Sequence, residues 1–333
     1  MGLGMKIRQK KSFNYIKTLL LTTFLLPSLL ILGGIFYLFF CLNHQDLEKE
    51  SRLINIRLLP YDFREIAVYL FANRVKNSAD DKKQVLCVFG DSQVFGHRFP
   101  SQDVFHNKIN KYAKNIKAYN FAIIDGHLID ILRVMKIVES TKLHCNFVAF
   151  NLDPAHLKAN RNVGYKLPEP HIKHGIAEAA IDILRSKNIV WFGNFISLKK
   201  MDFFANKQPQ PVGFAMTMKK DYYENLDERT AFFKLDAVIN QARKISNHII
   251  IFTSPVHYSE YNKKPYNYNW DPISPQIKLL TFCQKYEGVK CIDWSNYLDK
   301  SMFFDLIHLN PRGHQQLGKL VAKEVDNLRI QTT

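Results

Sequence analysis

A chain of 333 residues with 47% hydrophobic residues and a formal charge of +16 has ample material for one large domain or two small ones. So basic a balance favours anionic partners, either phospholipid headgroups and acidic polysaccharide or nucleic acid. The five cysteines (Cys41, Cys87, Cys145, Cys283 and Cys291) form no CxxC or Cys/His pair with metal-site spacing, so neither metal nor cofactor is expected.

The first 17 residues carry five positive charges (Lys6, Arg8, Lys10, Lys11 and Lys17) and no acid. Thr18 to Leu42 then runs without any charged residue. As a helix that stretch spans about 37 Å, more than the hydrocarbon core of a bilayer, and it reads as one uncleaved transmembrane helix. Asp46, Glu48 and Glu50 follow it. The charge asymmetry predicts residues 1–17 as a cytoplasmic tail and everything after residue 43 as extracytoplasmic, in the periplasm or outside the cell. That placement argues against nucleic acid and for the membrane as a partner. Residues 43–83 read as a polar connector and one helix, Tyr61 to Val75, with Phe63, Ile66, Leu70 and Phe71 near one face.

From residue 84 to about 330, strand-like and helix-like runs alternate. Val85–Phe89 is an uninterrupted apolar run ended by Gly90, the pattern of a strand buried on both faces of a parallel sheet. Further strands are expected at Lys117–Phe121, Asn146–Phe150, His248–Phe252 and Val289–Ile292. A helical stripe passes through Leu128, Ile131, Leu132, Met135 and Val138. A second helix, Tyr222–Ile245, carries Phe232, Leu235, Ile239 and Ala242 on one face. The last helix starts at Asn310-Pro311, an N-cap followed by proline at the first helical position. Strands separated by helices predict an α/β fold with about five parallel strands. Residues 155–220 break the rhythm. With Gln208-Pro209-Gln210-Pro211 and a helix at Ile176–Leu184, they read as an insertion over the carboxyl edge of the sheet. Cys87 and Cys145 lie in or beside strand-like runs and are expected as free core residues, whereas Cys283 and Cys291 are a possible pair outside the cytoplasm.

The chemistry gathers at two places. Gly90-Asp91-Ser92 closes the first strand, where open α/β sheets present reactive groups. A serine hydroxyl needs a base to take its proton, and a histidine oriented by a carboxylate serves best. Asp305 and His308, three residues apart, offer that pair. An oxyanion would need backbone donors, the Ser92 N–H and that of a nearby glycine.

Gly90-Asp91-Ser92 after a buried strand, joined to Asp305-Leu306-Ile307-His308-Leu309-Asn310 before the last helix, resembles the SGNH/GDSL hydrolase superfamily. The resemblance covers about residues 83–328 and is specific at its two ends. It implies a flavodoxin-like three-layer α/β/α fold and a catalytic triad of Ser92, His308 and Asp305. It also implies an oxyanion hole formed by Ser92, Gly126 and Asn151. The middle blocks depart from the family pattern: Gly126 comes about one residue late, and Asn151-Leu152-Asp153-Pro154 replaces Gly-x-Asn-Asp. If Asp153 took the amide's position, its charge would repel an oxyanion. In layout the chain is similar to the D-alanyl transfer protein of teichoic-acid modification and to SGNH proteins that O-acetylate exopolysaccharides. That likeness implies a membrane-anchored esterase or acyltransferase acting on an acylated envelope glycan or lipid, with a multi-spanning membrane acyltransferase as a possible partner. The atypical middle blocks keep open a second possibility, a catalytically weak domain that binds glycan or scaffolds such an acyltransferase. Tyr261, Tyr266, Tyr268 and Trp270 crowd one loop that either stacks on sugar rings or packs on itself, and His257 is a candidate cleft residue.

Overall fold

The computed structural model describes residues 61–78, 83–96, 101–113, 115–123, 126–157, 228–257 and 273–332, with a few single positions besides. Five strands form one parallel sheet: β1 (Gln84–Phe89), β2 (Ile116–Asn120), β3 (Phe147–Leu152), β4 (His248–Thr253) and β5 (Val289–Ile292). Their order is β2-β1-β3-β4-β5. Among the described residues, the helices around it are α1 (Tyr61–Ser78), α2 (Ser92–Phe95), α3 (Phe105–Tyr112), α4 (Leu128–Ser140), α5 (Glu228–Ile245), α6 (Ile273–Cys283) and α7 (Pro311–Thr332).

The apolar runs sort by parity onto two faces, because successive strand residues point to opposite sides of a sheet. Val85, Cys87 and Phe89 of β1 join Val148, Phe150 and Leu152 of β3 and Ile249 and Ile251 of β4 in one buried cluster, covered by α1, α4, α5 and α6. Leu86 and Val88, with Phe147, Ala149, Ile250 and Phe252, join the other cluster, covered by α2, α3 and α7. Two dry faces, each roofed by helices, make three layers.

The strand order explains which helix covers which face. The β1-to-β2 connection moves outward in one direction with α3 on one face. The later connections move the opposite way with α4, α5 and α6 on the other. Reversing both direction and face preserves the right-handed crossover that twisted strands favour. The point where the direction reverses, between β1 and β3, opens a crevice at the carboxyl ends of those strands.

α1 packs into the first cluster, with Val68, Phe71, Ala72 and Val75 buried and the Phe71 ring 4.8 Å from that of Phe121. Cys87 and Cys145 differ from expectation, whereas Cys283 and Cys291 form the pair held possible. Cys87 and Cys145, both fully buried, are joined as a disulfide, and so are Cys283 and Cys291. Burial alone did not separate a free thiol from a paired one. β1 and β3 are adjacent, so Cys145, two residues before β3, comes within a Cα–Cα distance of 5.9 Å of Cys87.

No helix among the described residues is long and apolar enough to cross a membrane. The predicted span at 18–42 lies outside those residues apart from Leu25, Ser28, Leu29 and Gly33. The predicted Ile176–Leu184 helix, the proline-rich stretch and the aromatic residues from Tyr261 to Trp270 lie outside them as well.

Candidate active site

β1 delivers its carboxyl end into the switch-point crevice, and Gly90-Asp91-Ser92 turns sharply there into the single turn of α2. Gly90 has φ +150°, and a Cβ at that position would lie 2.3 Å from Asn151 Oδ1 and 2.8 Å from Val94. Only glycine lets the backbone cross the end of β3 so closely. Gly90→Ala is therefore expected to lower the thermal midpoint markedly, since an L side chain in that conformation costs about 1–3 kcal/mol before the collision is counted. A midpoint within about a degree of wild type would contradict this account of the turn.

Asp91 caps α2 by accepting from Gln93 N at 2.9 Å. Its carboxyl is buried, and burial raises its pKa above the ordinary value even though Gln93 N–H, Asn151 and His308 pull the other way. Ser92, the first residue of α2, is half-buried and carries its hydroxyl to the crevice side that meets His308.

The partner segment is a tight loop between β5 and α7. Phe303 bridges Leu309 in antiparallel fashion, and Phe304 N donates to His308 O at 2.7 Å. Asp305 knits the loop from inside, because its Oδ1 accepts from Ile307 N at 2.9 Å and His308 N at 2.7 Å. The other oxygen, Oδ2, lies 2.7 Å from His308 Nδ1, and His308 Nε2 lies 3.0 Å from Ser92 Oγ. The hydrogen-bond roles follow from chemistry. An ionised carboxylate only accepts, so Nδ1 carries the proton, and Nε2 is left to accept from the serine hydroxyl. Burial pushes the Asp305 carboxyl up, but the His308 ring and the two backbone N–H groups outweigh it and hold the group below the usual carboxylate value. The structure thus brings Ser92, His308 and Asp305 together across 216 residues of chain.

The expected oxyanion residues sit beside the Gly90-Asp91-Ser92 turn, with the Gly126 N–H and one of the two Asn151 amide hydrogens engaged. Gly126 lies against Gly90: a Cβ there would be 3.3 Å from Gly90 O. Its own N–H donates to Ile123 O at 3.1 Å. Asn151, fully buried at the end of β3, donates from Nδ2 to Ser254 Oγ at 2.6 Å and accepts from Asp91 N at 3.3 Å through Oδ1. It is Asn151 that underlies the turn and not Asp153, whose N–H meets His156 Nδ1 at 3.1 Å. The Ser92 N–H belongs to the first turn of α2, where backbone donors have no acceptor within the helix. His257, at the exit of β4, stacks on Phe303 with ring centroids 5.5 Å apart, and its N–H holds Leu306 O at 2.9 Å. It supports the histidine loop from behind.

Sequence reasoning did not find Gln93. This residue is 2% exposed, and its amide reaches Pro255 O at 2.6 Å and Ile307 O at 2.5 Å. No signal in the chain marked it, because a polar residue after a candidate nucleophile has no pattern of its own.

No family model matches the chain, and no curated protein matches it. Among solved structures it is similar to a member of the lipolytic protein G-D-S-L family from Veillonella parvula, at 12% identity and a TM-score of 0.42 over 73% of this chain and 97% of that one. It is similar to a family 2 carbohydrate esterase with a carbohydrate-binding domain from Corynascus thermopiles (Myceliophthora fergusii), at 10% identity and a TM-score of 0.43 over 74% and 67%. A third is a catalytic mutant of an acetylxylan esterase from Geobacillus stearothermophilus, at 10% identity and a TM-score of 0.42 over 73% and 94%.

Proposed function

We propose that this chain is a membrane-anchored serine esterase or acyltransferase that acts on an acylated glycan or lipid of the cell envelope. The observation that carries the proposal is the continuous relay from Ser92 Oγ through His308 to Asp305 Oδ2. In the proposed reaction Ser92 Oγ attacks the acyl carbonyl as its proton passes to His308 Nε2. The resulting oxyanion is held first by the Ser92 N–H, joined by the second hydrogen of the Asn151 amide and by the Gly126 N–H once it leaves Ile123 O. Collapse expels the alcohol, which takes the proton back from His308 and leaves an acyl-serine. Water resolves that ester in a hydrolase, and a sugar hydroxyl resolves it in a transferase, each giving its proton to His308, which passes it to Ser92 Oγ as the acyl–serine bond breaks. Asp305 keeps its charge throughout and stabilises the imidazolium.

Two observations support an extracytoplasmic setting. The uncharged run at 18–42 follows a basic tail. Both cysteine pairs of the domain are joined, as suits an oxidising compartment. The test of the nucleophile is a fluorophosphonate probe, which reports the activated serine without knowledge of the substrate. Wild type is expected to be labelled, with the adduct on the peptide containing Ser92, and Ser92→Ala is expected to remain unlabelled. Equal labelling of the two proteins would sink the proposal.

One observation favours a second reading. With the Gly126 N–H and one Asn151 amide hydrogen engaged, the domain also fits a weakly catalytic module that binds glycan or scaffolds a multi-spanning membrane acyltransferase. A cell carrying only Ser92→Ala then keeps its envelope acylation, whereas a deletion loses it. Release of acetate from acylated polysaccharide by the wild-type protein alone would exclude this second reading.

A further inference from the structure

We infer that Gln93 is a positioning residue for the Ser92–His308 pair, a role that rests on Ser92 being the nucleophile. One side-chain amide ties three separate segments together. Gln93 follows Ser92 directly in α2, so it moves with the nucleophile turn. Its two amide hydrogens go to Pro255 O, in the segment leaving β4, and to Ile307 O, the residue just before His308. The second bond is the one that matters for chemistry. It links the residue after the serine to the residue before the histidine, so it fixes the separation of the two backbones from which Oγ and Nε2 reach toward each other. Asp305 sets the orientation of the imidazole within its own loop, but nothing in the Asp305 contacts sets the distance between that loop and α2. Gln93 does.

The rest of the surroundings fit this role. Gln93 is buried, and its Oε1 accepts no hydrogen bond among the described residues. An unpaired buried acceptor is unfavourable, and an apolar side chain of similar length would avoid it. What an apolar residue cannot supply is two fixed N–H donors aimed at carbonyls of different loops. Asn151 braces the same turn through Asp91 N and Ser254 Oγ, so Ser254 and Pro255 are both anchor points for the nucleophile turn. The Asn151 brace sets where the turn sits on the sheet, and the Gln93 brace sets where the histidine loop sits on the turn.

The test uses the full chain in detergent with p-nitrophenyl acetate and a fluorophosphonate as probes. Gln93→Met keeps length and burial and removes both donors. The expected result is a fall in kcat and in the rate of Ser92 labelling of about tenfold to a hundredfold, the scale of an ångström-level misplacement of reacting groups. KM and the final extent of labelling should stay within about twofold of wild type. An unchanged kcat overturns the inference. So does a loss confined to the fraction of molecules that can be labelled, with the rate per labelled site unaltered, because that is a folding defect. If Gln93→Met does not fold, Gln93→Asn keeps an amide that falls one methylene short of the carbonyls and is expected to show the same split. If neither folds, Gln93 is a core residue only and the assignment fails. Wild type that takes no label removes the nucleophile and this inference together, whereas labelled wild type with an unaffected Gln93→Met removes this inference alone.

Discussion

Asparagine in place of Asp305 is expected to lower kcat on p-nitrophenyl acetate by about 10³–10⁴-fold, with KM little changed and the thermal midpoint close to wild type. The separation of effects follows from how the two carboxylate oxygens are used. Oδ1 accepts from the Ile307 and His308 backbone N–H groups, and an asparagine carbonyl can continue to do so. Oδ2 accepts from His308 Nδ1, and there the asparagine presents an N–H instead. Two donors cannot face each other, so the imidazole shifts its proton to Nε2, the atom that faces Ser92 Oγ at 3.0 Å. The histidine then offers a hydrogen where it must receive one. The loop survives while the base is lost. Asp305→Ala removes the loop bonds as well and should lower both activity and stability. Combining Asp305→Asn with His308→Ala should cost little more than His308→Ala alone, because the two residues act as one unit. An Asp305→Asn protein that keeps half of its activity would show that the relay plays no part in the chemistry.

The same group has a definite pH signature. Its folded-state pKa lies below the ordinary 3.8. A depressed carboxylate contributes stability in full above its unfolded value, and that contribution is lost as pH falls through the lower folded value. Between about pH 5 and 8 the charge on Asp305 is constant, so an acid limb of activity in that window belongs to another group.

The sheet was legible where the chain is apolar without interruption. Val85–Phe89 and His248–Phe252 each mark a strand buried on both faces, and the structure extends them by a residue, to Gln84 and to Thr253. The order of the strands was not legible from any one of them, since it depends on which edges pair. α3 and α6 were missed as well: His106, Asn107, Lys108 and Asn110 dilute the apolar pattern of the first, and Pro275 interrupts the second. The meeting of Ser92, His308 and Asp305 was legible because serine chemistry restricts what can assist it, and Asp305-x-x-His308 met that restriction. The oxyanion donors were not, because a donor's usefulness depends on direction. Asn151 lies where expected along the chain, yet its amide is turned to Ser254. Gln93 escaped notice for a related reason, as its significance lies in two backbone carbonyls far away in sequence. Cys87 escaped because an apolar strand explains a buried thiol without a partner. The available signal was the predicted export of the domain, which makes pairing of its cysteines the default.

Removing the Cys87–Cys145 disulfide by replacing both residues with alanine is expected to lower the unfolding free energy by about 4 kcal/mol, and the thermal midpoint by about 10 °C for a domain of this size. The bond joins positions 58 residues apart. Closing so long a loop removes much of the freedom of the unfolded chain, and the stabilisation grows with the logarithm of loop length. The Cys283–Cys291 bond, with a separation of 8, should contribute about 2–3 kcal/mol by the same reasoning. The longer bond also joins the strands that carry the candidate site. Cys87 lies on β1 five residues before Ser92, and Cys145 enters β3, whose far end carries Asn151. These are the two strands that flank the switch point. Because both sulfurs are fully buried, a mild reductant is expected to leave the folded protein untouched and to act only once the domain opens. Urea unfolding with and without dithiothreitol measures this. The wild-type midpoint should fall toward that of the double variant with reductant, and the double variant should not respond beyond the smaller shift from Cys283–Cys291. Alkylation of the unfolded, unreduced protein followed by mass measurement gives the direct count, with Cys87, Cys145, Cys283 and Cys291 all protected. If those four thiols alkylate freely in protein isolated from its native cells, the domain has not met an oxidising compartment, and its proposed extracytoplasmic placement falls with the bond.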